Sequence, residues 1–185
     1  MEFITELWKP ILLSGLAVFV LSALAWTVMP HHQKEYARLA NEDAVADALR
    51  AGNVQPGLYS VPHAADFKAL GTPEMVAKMQ RGPVAYITVV PPGVTPMGPT
   101  MVKSLISNLV VSVFVGYVAY HALPAGTEYL AVFRVVGTVG FMAYALGGMA
   151  DSIWFGKPWK SWMLHAMDSL VYGLAMGGVF GWLWV

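Results

Sequence analysis

The sequence predicts an all-α transmembrane four-helix bundle carrying a small α+β extramembrane insertion between its first and second spans. Three observations predict it. Residues 10–29 and 104–127 contain no Asp, Glu, Lys or Arg, whereas 129–150 contain only Arg134 and 161–184 only Asp168. Each stretch supplies about 20 helical residues, enough to cross a hydrocarbon core of roughly 30 Å. The composition agrees: the 185 residues are 57 % hydrophobic and 12 % charged, against about 25 % charged in soluble domains, and the mean hydropathy is positive. The third observation is the long polar segment separating the first stretch from the other three.

The first span, within residues 1–30, has to be distinguished from a cleaved signal, because Ala23-Leu24-Ala25 has small residues at a cleavage-like spacing. Glu2 and Glu6 outnumber Lys9, whereas a secretory signal begins with net positive charge. The reading is an uncleaved helix with Pro10 in its first turn and Pro30 beyond its end. Gly15 and Ser22 form only a weak small-residue face, so this helix is expected at the periphery, as an anchor.

Residues 31–102 form the α+β segment. Asn41 caps a helix with Glu42 and Asp43 in its first turn and Gly52 past its end; Thr72-Pro73 opens another that stops near Gly82. Leu58–Val61 and Val84–Val90 are rich in β-branched and aromatic residues and read as strands. The run from Pro91 to Pro99 is expected to be an extended strap leading into the second span.

Residues 103–185 hold the remaining spans, at about 103–122, 128–150 and 161–184. The last carries Ser161, His165, Ser169, Gly173, Gly177 and Gly181 at four-residue steps, a stripe of small residues in its later half. Gly173, Gly177 and Gly181 are therefore the expected helix-packing positions, within the bundle or against a second chain. Ser104, Asn108, Ser112 and Gly116 form a similar row on the second span, and Gly137, Gly140, Tyr144 and Gly147 on the third. Trp154, Trp159 and Trp162 at one end of the last span, with Trp182 and Trp184 at the other, read as interfacial anchors.

Polar residues inside the spans are the candidate functional groups. A carboxylate in the hydrocarbon region costs about 2.5–3.5 kcal/mol on insertion scales, so Asp168 is expected to face protein or water, with His165 close by as a second titratable group. The topology brings Asn108, Tyr144, Asp151, His165, Asp168 and Tyr172 to one level as an intramembrane polar cluster. Arg134 and Glu128 belong to the opposite leaflet, with Arg134 about 15 Å in depth from Asp168. His31 and His32 follow the first span, but adjacent histidines on a helix do not both face one ion and no spacing ties them to His63, so no metal site is expected there.

Lys34, Arg38, Arg50, Lys103, Lys157 and Lys160 lie on the side of the large segment, against Lys9 on the other. This bias places the segment in the cytoplasm and both termini outside, and a bacterial inner membrane is the expected setting. The absence of cysteine excludes disulfides, thiolate metal sites and thiol nucleophiles, and zero net charge leaves no basic surplus for nucleic acid. No phosphate loop, nucleophile with a placed base or cofactor motif is present. The leading expectation is a non-enzymatic accessory or assembly subunit acting through helix packing, with the lipid bilayer and a second copy or another membrane subunit as partners. The alternative is a small transporter or proton-conducting component centred on Asp168 and His165.

Overall fold

The structure, a computed structural model, describes residues 2–185. It contains four helical segments long and apolar enough to cross a membrane, and a two-stranded sheet. The chain divides into two compact units, Arg38–Val94 and the remainder.

The larger unit is built from α1 (Glu2–Thr27), α5 (Met97–Ala122), α6 (Tyr129–Ala145), α7 (Met149–Trp154) and α8 (Trp159–Trp182). α1 packs against α5 and α8, and α6 packs against the same two helices, so the long helices form a closed ring of neighbours. Leu7, Ile11, Val18, Val115, Ala119, Val132, Val136, Tyr172, Met176 and Phe180 fill the centre. Leu12, Val20, Phe114 and Leu170 are among the large apolar side chains left exposed outside, the surface that lipid tails would cover.

Four local expectations are corrected. α1 starts eight residues before Pro10, because Leu7 is drawn fully into the core; the proline therefore lies inside the helix. Nor is α1 peripheral: Ser112 Oγ donates to the Ile11 carbonyl at 2.7 Å, Ser14 and Ser112 hydroxyls meet at 2.6 Å, and Gly15 lies against Leu109. The strap ends at Pro96, and α5 begins at Met97 with Pro99 in its first turn, where a missing N–H breaks no helical bond. The third span is interrupted by a 3₁₀ turn at Leu146–Gly148, which contains the Gly147-Gly148 pair, before the helix resumes as α7.

The α8 glycines pack against α6 of the same chain. A Cβ on Gly173 would lie 2.6 Å from the Gly137 carbonyl oxygen; on Gly177, 2.8 Å from that of Phe133; on Gly181, 2.7 Å from the Tyr129 ring. The pairing of 173 with 137, 177 with 133 and 181 with 129 makes the two helices antiparallel. Trp162 donates its indole N–H to the Ala145 carbonyl and Trp184 to that of Pro124, so two of the expected interfacial tryptophans also pin connections between helices.

The smaller unit contains α2 (Glu42–Ala51), β1 (Gly57–Val61), α3 (Phe67–Leu70), α4 (Pro73–Arg81) and β2 (Ala85–Val89). The strands pair antiparallel with Gly57 opposite Val89 and Val61 opposite Ala85. Thr72 caps α4 by accepting from the Met75 N–H, whereas the Asn41 side chain makes no capping bond. The short α3, capped by Asp66, is not apparent from periodicity. The unit begins at Arg38 rather than residue 31, because residues 31–37 group with the long helices.

Candidate metal centre

The reason for that grouping is a cluster of imidazoles and carboxylates between the turn leaving α1 and the start of α8. After Thr27 the chain turns rather than continuing as a helix, and the Glu35 N–H donates to the His32 carbonyl at 3.1 Å. This turn sets His31, His32 and Glu35 against one face of α8. On that helix Ser161, His165 and Asp168 are four and then three residues apart, so they share a face.

His32 is the hub. Its Nδ1 pairs with Glu35 Oε1 and its Nε2 with Asp168 Oδ2 at 2.5 Å. His31 Nε2 reaches the other Asp168 oxygen at 3.1 Å, and His165 Nε2 stands 3.4 Å from Glu35 Oε2. The Ser161 hydroxyl also donates to Glu35 Oε2. Trp26, in the last turn of α1, stacks on the His32 ring at 4.0 Å with the planes 2° apart. The stacked ring presents its edge, and both nitrogens, to the carboxylates.

Burial makes these contacts consequential. The His32 side chain is 2 % exposed and that of Glu35 6 %. Burial opposes charge on His32, but hydrogen bonds to Glu35 and Asp168, with the charges of those carboxylates, outweigh it and hold its pKa above the ordinary value. Burial likewise opposes the charged form of Glu35, but hydrogen bonds from Ser161 and His32 and the nearby charges of His165 and His32 hold it below the usual carboxylate range.

The same atoms form two overlapping ligand sets. His31, His32 and Asp168 offer one, and His32, Glu35 and His165 the other; within each, the donor atoms lie within 4.8 Å of one another. Each is a two-imidazole, one-carboxylate set, the donor chemistry of many zinc and non-haem iron sites.

The polar residues singled out within the spans therefore separate into groups. His165 and Asp168 belong to the centre. Tyr144 donates to Asn108 Oδ1 at 2.9 Å, and its ring meets that of Tyr172 edge-on at 5.5 Å between centroids. Among the described residues, the buried Tyr172 hydroxyl has no hydrogen-bond partner. Asp151 is exposed, its backbone carbonyl accepting from the N–H groups of Phe155 and Lys157. Arg134 is exposed on α6 and makes no ion pair with Glu128, the residue preceding that helix. His63 lies in the smaller unit, its Nδ1 3.3 Å from Ser60 Oγ.

Sequence reasoning set aside His31 and His32 on a helical argument that does not apply to a turn, and it did not single out Glu35. The available signal was positional: the predicted topology already put residues 31–35 and 161–168 at the same membrane boundary. No protein-family model, curated protein or solved structure matches the chain.

Proposed function

We propose that this chain is a multi-pass membrane protein that holds a divalent transition-metal ion at one membrane boundary, between the turn after α1 and the first turns of α8. The observation that carries the reading is the convergence of His31, His32, Glu35, His165 and Asp168 from segments more than 120 residues apart, with their donor atoms within coordination reach. Imidazole with carboxylate favours ions such as zinc, iron(II), nickel or copper over calcium and magnesium, which take oxygen ligands. Ser161 and Trp26 supply the outer support that such sites need, one holding a ligating carboxylate and the other an imidazole plane. The bias of Lys and Arg puts this boundary on the cytoplasmic side of a cell membrane, with both termini on the other side.

The transport alternative draws on one specific observation. The unpartnered Tyr172 hydroxyl lies one helical turn from Asp168, and the Tyr144–Asn108 pair stands beside its ring, so polar groups continue from the centre into the bundle. The assembly reading loses its main motive, since the α8 glycine stripe is already filled by α6.

The test is calorimetric titration of Zn(II) alone into chelator-stripped full-length protein in mild detergent. The expected result is saturable binding that Asp168→Asn and His32→Gln each weaken by roughly tenfold or more. Equal binding by the wild type and both variants, or no binding at all, removes the reading.

A further inference from the structure

The shape of the centre says how many ions it takes. His32 presents Nε2 to Asp168, next to His31, and Nδ1 to Glu35, next to His165. The two nitrogens of an imidazole point away from each other across the ring, so a single ion cannot use both. Both ligand sets nevertheless require His32. A single ion would therefore leave one set unused, although that set also has a buried carboxylate and a second imidazole in place.

We infer that the centre binds two divalent transition-metal ions at once, bridged by the His32 ring as an imidazolate. This rests on the metal-binding reading above. One ion takes His31, His32 Nε2 and Asp168; the other takes His32 Nδ1, Glu35 and His165. Metal–nitrogen bonds of about 2.0–2.1 Å on either side of one ring put the ions about 6 Å apart. Whatever proton a His32 ring nitrogen carries leaves to solvent as an ion takes its place. Two dications meet the negative charges of Asp168, Glu35 and the imidazolate, so the group that now pairs a proton-carrying ring with two carboxylates keeps its charges opposed when loaded.

Several features favour a bridge over two unrelated sites. Trp26 covers a face of His32 and leaves the in-plane edges that a bridging ring uses. Asp168 has one oxygen toward His31 and the other toward His32, closing the first set. Glu35 has Oε1 toward His32 and Oε2 toward His165 and Ser161, closing the second. The two carboxylates thus flank the ring at its two nitrogens.

Copper(II) alone tests this, because an imidazolate bridge couples the two unpaired electrons. Full-length protein in detergent, stripped by chelation and loaded with Cu(II), is analysed for metal per chain and by low-temperature electron paramagnetic resonance. The expected result is two coppers per chain with most of the isolated-Cu(II) signal lost. His31→Ala and His165→Ala should each bind one copper with its full signal restored, and His32→Gln should show no coupling. One copper per chain in the wild type overturns the bridge and leaves the metal reading standing. Two coppers with undiminished signal also overturn the bridge, as independent sites. No specific copper overturns both readings. If His32→Gln fails to fold, His165→Ala carries the test, since its side chain is already 33 % exposed.

Discussion

Gly173→Ala isolates the closest approach in the bundle. The added methyl would lie 2.6 Å from the Gly137 carbonyl oxygen, 3.0 Å from the Phe141 nitrogen and 3.3 Å from the Phe141 Cβ. The first two are backbone atoms of α6, so no side-chain rotation relieves them. Restoring an ordinary contact near 3.4 Å requires α6 and α8 to separate by about 0.8 Å, a gap that forfeits a quarter to a half of each dispersion contact along the seam. Overpacking of this kind costs about 1–3 kcal/mol, offset by up to about 1 kcal/mol from replacing a helical glycine with alanine. Gly178→Ala on the same helix supplies the control, because its nearest contact beyond its own turns is the Tyr129 hydroxyl at an ordinary 3.8 Å. Reversible unfolding in mixed micelles should show Gly173→Ala less stable than Gly178→Ala by about 1–3 kcal/mol. Equal stability of the two variants would refute the close α6–α8 seam.

Ser161→Ala removes a hydroxyl donor from Glu35, a hydrogen bond to a buried charge worth about 1.5–3 kcal/mol, and should lower the thermal midpoint of metal-free protein in detergent. An unchanged midpoint would show that Glu35 does not depend on α8. Ser112→Ala breaks the bonds to Ile11 and Ser14 between α5 and α1; unfolding in micelles should show a loss of about 0.6 kcal/mol, and at most about 1.7. A larger loss would mean that the serines hold more than the local seam.

The four long apolar helices were legible because crossing lipid sets a simple requirement, a long apolar run almost free of charge. Their ends were less so. Pro10 and Pro99 read as boundaries, yet a proline breaks a helix only where its missing N–H and its ring conflict with the preceding turn. Pro99 sits where no such bond is due, and burial of Leu7 extends α1 back past Pro10. Asp168 and His165 stood out because polar groups are expensive inside an apolar span. His31, His32 and Glu35 lie just outside one, where such residues are common, and nothing local shows that the chain turns there. Their importance arises from a contact across more than 120 residues, which periodicity does not encode.

The helix order accounts for that contact. α1 neighbours α8 rather than α6, so the chain leaving α1 emerges beside the start of α8. There Ser161, in the first turn of α8, holds Glu35 at the end of the helix that favours negative charge. Asp168 lies about 10 Å further along, at a rise of 1.5 Å per residue, and reaches back to His31 and His32 from the other side. The two carboxylates, Glu35 from the turn itself and Asp168 from α8, thus engage opposite edges of the His32 ring. A purely structural ion pair between a turn and a helix needs one carboxylate and one histidine. The second carboxylate and the flanking imidazoles of His31 and His165 exceed that need, and their placement in two matching sets favours metal coordination over a simple latch.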